Sequence, residues 1–324
     1  MSAAPPVSVC MVTYNRARQL PKTIDSLLAQ SFADFELVIS DDCSTDETEE
    51  ICREYARCDS RIRYRRNERN VGMPGNLNVS LQAANGDYLA NLHDGDVYRS
   101  DLVAKWKAAL DSLPSAGFVF NTYRVIHDDG RIELYGESYP PLIPGRQLVE
   151  RLLSQWGSCV FGTVMARRSA YEQVGWFDPQ FGNFSDVDMW LRIAARYDVA
   201  YVNEPLMDLM PRDPTRFYGF VHWQVAFWIL SIHTLNLQRC SELLPELTNE
   251  LRRRYRWRRF KYLMLQMLLC LKHRRWDRVR EGLAVWRDSD DWLFRWPGRC
   301  LGKPEDAPAW YDRHYWERVR LVNA

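Results

Sequence analysis

The feature that most constrains this fold is an alternation of apolar runs and helical patterns over the first hundred residues. Continuous apolar runs occupy 7–14, 35–42 and 86–92. Such runs are typical of strands that are buried on both faces of a sheet. Residues 17–30 and 75–85, which lie between them, place apolar side chains at helical spacing. The alternation predicts an α/β fold with a parallel, doubly wound sheet.

Two further elements complete this pattern. Ser44 and Glu47 have the spacing of a capping box, so they predict a second helix that begins near Ser44 and runs to about Cys58. The segment IRYRRN at 62–67 predicts a third and more exposed strand. The apolar run at 86–92 then becomes the fourth strand.

Polar and acidic side chains gather where these strands end. The first strand ends in Tyr14, the second in Asp41 and Asp42, and the fourth in the sequence HDGD at 93–96. Ligands of doubly wound sheets bind at the carboxyl ends of the strands, where the loops leave the sheet. HDGD has two interpretations, because Asp-Gly is a common turn dipeptide and paired carboxylates also hold divalent cations against phosphorylated substrates. The concentration of acids at one edge favours the cation site.

The glycine-rich phosphate-binding motifs are absent from this sequence. No G-x-G-x-x-G follows the first strand, and no G-x-x-x-x-G-K-[ST] occurs anywhere. A dinucleotide-dependent redox enzyme and a P-loop enzyme are therefore both disfavoured. An acidic edge suits a nucleotide whose base or ribose contacts carboxylates and whose diphosphate is reached through a metal ion.

The last third of the chain has a different composition. Residues 1–215 carry a net charge of −8, whereas residues 216–324 carry +9 and nine of the thirteen tryptophans. Basic and aromatic residues concentrate in 252–275, which predicts a segment that lies on an anionic membrane surface. A helical cap with solvated charges is the alternative. A nucleic-acid patch has a similar composition, but we expect no nucleic-acid partner.

The cysteines and the first residues bear on the cellular compartment. The eight cysteines form no C-x-x-C pair, which indicates thiols in a reducing compartment. The opening MSAAPPVSVC has no basic segment followed by an apolar one, and no run of about 18 apolar residues occurs. We therefore expect a cytoplasmic protein, with peripheral association at the inner face of the plasma membrane.

Four stretches resemble the family-2 glycosyltransferases and occur in that family's order. They are VSVCMVTYNRARQLPKTIDSLLAQSFADFELVISDDCSTDET, NVGMPGNLNVSLQAANGDYLANLHDGDVY, MARRSAYEQVGWFD and SDVDMWLRIA. The resemblance implies a GT-A fold over residues 1–215, followed by a helical region over 216–324. It also implies transfer of a sugar from a nucleoside diphosphate donor (UDP, dTDP or GDP) to an acceptor hydroxyl, with inversion at the anomeric carbon. The implied acceptor is a glycan or a lipid-linked molecule in cell-envelope or polysaccharide synthesis.

The resemblance also implies the residues that bind the nucleotide. They are Val12, Tyr14, Asp42, Asn78 and Asp94. Tyr14 would lie along the nucleobase, Asp42 would accept a hydrogen bond from it, and Val12 would contribute its backbone. The alternatives are a core aromatic at Tyr14, a helix-capping carboxylate at Asp42 and a plain helix-surface amide at Asn78.

Asp96 matches the family's metal-binding acid and implies Mn²⁺ or Mg²⁺ as cofactor. A cation there would neutralise charge on the departing diphosphate. This sequence has Gly95 where many relatives have the first of two consecutive aspartates. Asp94 restores a D-x-D spacing one residue earlier, so the anionic site is kept while its coordination differs.

Asp186 matches the general base, which takes the proton of the acceptor hydroxyl. Asp188 is interpreted as a supporting carboxylate at the start of the same helix, and favourable helix-dipole charge is the alternative for both. Arg212 stands where relatives have a histidine, and its guanidinium would contact the diphosphate; a surface arginine is the alternative. Upstream, Gly157, Ser158 and Gly162 would let a sugar approach the backbone, although a strand bulge explains them as well.

Two rival functions remain open at this point. A nucleotidyltransferase of similar fold also combines carboxylates, a metal ion and a nucleotide, and it would release pyrophosphate. A catalytically inactive protein that binds sugar nucleotides or membranes is suggested by Gly95 and Arg212.

Overall fold

One ten-stranded sheet organises the first part of the chain in the computed structural model, which describes residues 5–154, 158–210, 232–233, 235–237, 239–240, 243–287 and 300. The strands are β1 (Val7–Thr13), β2 (Phe35–Asp41), β3 (Ile62–Arg66), β4 (Tyr88–His93), β5 (Val97–Tyr98), β6 (Ala116–Ile126), β7 (Ile132–Tyr135), β8 (Leu142–Ile143), β9 (Val164–Arg167) and β10 (Asp198–Leu209). The helices are α1 (Leu20–Leu28), α2 (Thr48–Cys58), α3 (Met73–Ala83), α4 (Leu102–Ser112), α5 (Gly145–Ser154), α6 (Arg168–Val174), α7 (Ser185–Ala194), α8 (Pro245–Lys272) and α9 (Trp276–Arg287).

The first half of the sheet is parallel, in the order β3-β2-β1-β4. The central strands β1 and β2 are almost entirely buried, because helices cover both faces of a doubly wound sheet. Their ladder pairs Val7 with Phe35 and Thr13 with Asp41, so both strands end at the same edge. The α/β fold and the four parallel strands predicted from the sequence are confirmed.

The second half of the sheet is mixed, because β5, β7, β8 and β9 run antiparallel to the strands with which they pair. β9 runs antiparallel to both β4 and β6, and β10 then pairs in parallel with β6. The segment just before β9 therefore lies beside the end of β4. This arrangement brings the residues around Gly162 to the edge where HDGD begins.

The second helix begins later than the capping-box pattern predicts. α2 starts at Thr48, and neither Ser44 nor Glu47 caps it with its side chain. The Ser44 hydroxyl is engaged elsewhere, because it donates to Asp41 Oδ1 (2.5 Å) and accepts from the backbone N–H of Asn15 (2.9 Å). Residues 44–47, which the capping-box spacing assigns to the start of the helix, are thus part of a loop that joins the ends of β1 and β2.

The chain divides into two compact units, Met1–Pro211 and Arg212–Ala324. The described part of the second unit is helical, with α8 of 28 residues followed by α9 of 12 residues. A helical C-terminal region is therefore confirmed for these residues. None of the described helices combines the length and the apolar character that crossing a membrane requires.

Candidate active site

Two loops at the edge of the sheet are fastened to each other. The loop after β1 contains Asn15, which has a positive φ of 52°. Four hydrogen bonds join this loop to residues 44–48: Asn15 N to Ser44 Oγ (2.9 Å), Arg16 N to Thr48 Oγ1 (3.0 Å), Ala17 N to Asp46 Oδ2 (3.1 Å) and Thr45 N to Asn15 Oδ1 (2.8 Å). The adjacent Tyr14 is 46% exposed. A fixed loop with an exposed ring beside it can offer a flat surface to an aromatic ligand.

The Asp42 carboxylate frames a neighbouring loop. Its Oδ1 accepts hydrogen bonds from Asn67 Nδ2 and Val71 N, and its Oδ2 accepts one from Gly72 N, all at 2.9 Å. Gly72 has a positive φ of 79° and directly precedes α3. A carboxylate has about four acceptor positions, so three of them already serve the fold. The structure places Asp42 at the predicted edge and has it hold the loop before α3, a structural role related to the helix-capping alternative.

Val12 lies inside the sheet, in register with Ser40 of β2 and His93 of β4. Its backbone is therefore held by its neighbours one residue before the exposed end of β1. This register fixes the point along β2 and β4 at which the chain leaves the sheet before Tyr14.

Asn78 occupies a different contact from the one that the resemblance implies. Its Nδ2 donates to the backbone oxygen of Phe177 (2.7 Å), and its Oδ1 accepts from the Phe177 N–H (2.9 Å). Both ends of the amide are thus hydrogen-bonded to one backbone position. Asn78 ties α3 to the segment before α7, and its contact with a nucleotide stays a prediction.

The HDGD sequence places three titratable side chains at the end of β4. Asp96 is buried (1% exposed), and its Oδ2 lies 3.4 Å from His93 Nδ1. Asp96 Oδ1 accepts a long hydrogen bond (3.4 Å) from the backbone N–H of Met210, and its backbone oxygen accepts one from Thr23 Oγ1 (2.8 Å). These contacts make Asp96 a fixed anionic group at the edge of the sheet.

Asp94 is less tightly held. Its Oδ1 lies 3.8 Å from Arg16 Nε, and its side chain is 16% exposed. Burial raises the pKa of Asp94, while the Arg16 guanidinium and the Thr13 hydroxyl oppose that rise. Asp94 therefore has oxygen atoms near the surface and the Arg16 guanidinium beside it.

Asp186 lies at the start of α7, where Val187 N donates to its Oδ1 (2.8 Å). Burial raises the pKa of Asp186 from 3.8 to about 6, although the nearby His93 lowers it somewhat. A carboxylate with such a pKa is a competent proton acceptor near neutral pH. The structure thus gives Asp186 the environment that a general base needs.

Gly162 shows how close Asp186 and His93 are. A β-carbon built on Gly162 would lie 3.2 Å from both Asp186 Oδ2 and His93 Nε2. The glycine backbone is held at this place by Asn91, whose Nδ2 donates to Gly162 O (2.7 Å). The absence of a side chain therefore keeps the space between the two groups open.

Asp188 is a structural acid. It is fully buried, and its Oδ2 accepts a hydrogen bond from Arg192 Nε (2.8 Å). The same guanidinium donates to the backbone oxygens of Val174, Gly175 and Trp176. Asp188 thereby orients the arginine that fixes the entry to α7.

His93 is the member of the cluster to which the sequence analysis assigned no role. It contacts Asp96 through Nδ1 and faces Asp186 across Gly162 through Nε2. Its position immediately before the Asp94-x-Asp96 spacing was the available signal. Arg212 and Gly157, by contrast, lie outside the described residues.

Metal binding by protein atoms alone is not indicated. Among the described residues, no group of three or more His, Cys, Asp or Glu side chains has the arrangement of a metal site. The carboxylates of Asp94 and Asp96 nevertheless offer hard oxygen donors, which suit Mg²⁺ or Mn²⁺ when phosphates and water supply the other ligands.

Comparison with known proteins identifies the family. The sequence profile described as glycosyl transferase family 2 matches residues 8–175, just over half of the chain. The chain belongs to glycosyl transferase family 2. The predicted family and the enzyme class, glycosyltransferase, are confirmed by this match.

Several relatives are named as glycosyltransferases, and two of these names also give a biosynthesis. The chain is 31% identical over 195 residues to EpsE of Bacillus subtilis, named as a glycosyltransferase; the match covers 59% of this chain and 68% of EpsE. It is 35% identical over 126 residues to TuaG of Bacillus subtilis, named for teichuronic acid biosynthesis, covering 39% of this chain and half of TuaG. It is 25% identical to WcaA of Escherichia coli, named for colanic acid biosynthesis, covering 69% of this chain and 81% of WcaA.

Solved structures agree on the fold. TarS residues 1–349 of S. aureus superpose with a TM-score of 0.61 at 17% sequence identity, covering 98% of this chain and 91% of that one. TarS has also been solved with UDP (TM-score 0.60, 18% identity) and with UDP-GlcNAc (0.61, 16%), with the same 98% of this chain covered and 91% and 92% of those chains. The likeness confirms the predicted GT-A fold.

Proposed function

We propose that this family-2 glycosyltransferase moves a sugar from a nucleoside diphosphate donor to an acceptor hydroxyl with inversion of the anomeric centre. The observation that carries the proposal is the raised pKa of Asp186 beside the open position at Gly162. A carboxylate in that environment can accept a proton from a hydroxyl that attacks a bound sugar.

The proposed reaction is a single displacement. The acceptor oxygen forms a bond to the anomeric carbon while the bond from that carbon to the diphosphate oxygen breaks. The hydroxyl proton passes to Asp186, and the nucleoside diphosphate leaves with the electron pair of the broken bond. Attack from the face opposite the leaving group inverts the anomeric configuration.

The proposed nucleotide site is the edge formed by the ends of β1 and β2. Tyr14 offers an exposed ring for the base, and the loop framed by Asp42 lies beside it. Structures of TarS with UDP and UDP-GlcNAc make uridine nucleotides the first donors to test here. Deoxythymidine and guanosine diphosphate sugars are the other donor classes in the proposal.

The family generally uses a divalent cation, and we assign Asp96 and Asp94 to holding it. The cation supplies charge neutralisation for the leaving diphosphate. In this chain, His93 contacts Asp96, and Arg16 lies beside Asp94 and can face the same phosphates. Arg212 remains a proposed additional contact to the diphosphate.

The proposed acceptor is a glycan or a lipid-linked molecule of envelope or extracellular polysaccharide synthesis. The names of TuaG and WcaA, which refer to teichuronic acid and colanic acid biosynthesis, support this class of acceptor. We propose a cytoplasmic enzyme that associates peripherally with the inner face of the plasma membrane through 252–275. The positive net charge of residues 216–324 supports this location.

The test is a panel of UDP-, dTDP- and GDP-sugars, measured by thermal shift with and without Mn²⁺. The stabilising donor is then incubated with the enzyme, and the released nucleotide is identified by chromatography. Release of nucleoside diphosphate with sugar transfer or donor hydrolysis supports the proposal. Release of pyrophosphate from a nucleotide substrate indicates a nucleotidyltransferase, and binding without turnover of any donor indicates an inactive binding protein.

A further inference from the structure

Helix α8 carries large apolar side chains on an exposed face. Trp257 is 62% exposed, Leu265 is 53%, Leu268 is 55% and Leu271 is 39%. At 100° per residue these positions fall on one side of the helix. The adjoining side carries the buried residues Leu263, Met267 and Cys270. The helix is therefore apolar on two faces, and burial within its own unit accounts for only one of them.

A further large apolar side chain is exposed just past the end of the helix. Trp276, the first residue of α9, is 60% exposed. Single exposed apolar residues are ordinary on protein surfaces, but a contiguous set marks an interaction site. From Trp257 to Leu271 the exposed residues cover about 20 Å of helix length.

Basic side chains accompany these apolar ones. Lys261 is exposed, and its Nζ lies 5.6 Å from the centre of the Trp257 ring. Lys272 is exposed at the end of α8, and Arg275 is exposed just before α9. Long basic side chains can extend from an apolar surface to reach phosphate groups. The face thus combines exposed apolar side chains with positive charge, and both contribute to binding at an anionic membrane surface.

We propose that Trp257, Leu265, Leu268, Leu271 and Trp276 insert into the headgroup region of an anionic bilayer, with Lys261 and Lys272 contacting lipid phosphates. A bilayer is favoured over a second copy of the chain, because a self-pairing face would bring its own lysines together. The proposal deepens the membrane location given under the proposed function, and it does not depend on which sugar is transferred.

The experiment is sedimentation of the full chain with vesicles of phosphatidylcholine alone or mixed with phosphatidylglycerol. We expect pelleting with the mixed vesicles only. The double variant Leu265→Gln/Leu268→Gln should lose about tenfold in partitioning per leucine, at low and high salt alike. Lys261→Gln/Lys272→Gln should instead flatten the salt dependence. Leu134→Gln, which changes an equally exposed leucine on β7 (68%), is the matched control and should pellet like the parent.

Three outcomes would overturn the proposal. One is a parent chain that stays in the supernatant with the mixed vesicles at low salt. Another is a leucine double variant that pellets like the parent. The third is a parent dimer, seen by light scattering, that the leucine variant dissociates, which would make this face an interface between copies. Circular dichroism confirms that each variant is folded, and donor turnover by the same preparations in vesicle-free buffer separates a failure of membrane docking from a failure of the proposed enzyme activity.

Discussion

Asp41 and Asp42, at the end of β2, differ in their surroundings from Asp94 and Asp186, which lie near the end of β4. Asp41 and Asp42 accept hydrogen bonds from Ser44, Tyr64, Asn67 and backbone N–H groups. Asp186, by contrast, accepts one local backbone hydrogen bond, and burial raises its pKa to about 6. Asp94 has a raised pKa as well.

We expect this difference to separate framing acids, which hold loops, from reacting acids. A carboxylate that accepts several hydrogen bonds stabilises the loops that donate to it. A half-buried carboxylate with few donors is a better base. Removing a framing acid should therefore lower stability, whereas removing a reacting acid should lower activity.

The largest expected effect is on Asp186. Asp186→Asn keeps the shape and removes the basicity, so turnover should fall by about 10²–10⁴-fold while donor affinity is retained. Its thermal stability at pH 7 should equal or exceed that of the parent, because the raised pKa makes the folded carboxylate anion costly above pH 6. Steady-state kinetics, donor calorimetry and a melting curve measure the three quantities.

Asp188→Asn is the matched variant, two residues away with the same loss of charge. It breaks a buried ion pair with Arg192, which typically costs about 3–5 kcal/mol of stability. If Asp188→Asn lost activity without loss of stability, and Asp186→Asn did the reverse, the two roles would be exchanged.

The second prediction compares the two carboxylates of HDGD. Asp96→Ala should abolish stimulation of transfer by Mn²⁺, because Asp96 is fixed at the sheet edge by Met210 and His93. Asp94→Ala should weaken the affinity for Mn²⁺ by about tenfold, since Asp94 is less tightly held. The measurement is transfer rate against Mn²⁺ concentration; equally mild effects of both variants would make HDGD a simple turn.

The third prediction tests a framing acid. Asp42→Ala leaves Asn67 Nδ2 and the N–H groups of Val71 and Gly72 without their acceptor. We expect a loss of about 1–3 kcal/mol in the free energy of unfolding, together with about tenfold weaker nucleotide binding. Urea denaturation and calorimetry measure the two effects. A fully stable variant with weak nucleotide binding would place Asp42 among the ligand-binding acids alone.

The smallest expected effect is at Gly162. Its backbone is not in the left-handed region, so Gly162→Ala tests space alone. The new methyl group would press on Asp186 and His93, and a displaced base should lower turnover by about tenfold with the melting temperature nearly unchanged. An alanine variant with parent kinetics would show that the space beside Gly162 is not used.

The sequence predicts most of the parallel half of the fold, since β1, β2 and β4 are long apolar runs whose burial is visible from composition. It misplaces the start of α2, because Ser44 bonds to Asn15, 29 positions away. A long-range contact also explains why the sequence does not predict the structural role of Asn78. Asn78 bonds to Phe177, 99 positions along the chain, and no local pattern reveals such a partner.

Residues that share a motif can also differ in their surroundings. Asp186 and Asp188 lie in one short segment, yet one is near open space and the other is fully buried against Arg192. The role of His93 likewise depends on the reversed strand β9, which brings Gly162 beside it. Spacing identifies which side chains are candidates, and only packing decides which of them are held by partners.

The most direct test of the account is the pH dependence of kcat/KM, which reports the groups of the free enzyme. A base must be deprotonated to act, so kcat/KM should fall about tenfold per pH unit below the Asp186 pKa of about 6 and level off above it. The residual turnover of Asp186→Asn should lack this inflection. A parent profile that stays flat from pH 5 to 8, or an inflection that persists in Asp186→Asn, would contradict the assignment of Asp186 as the base.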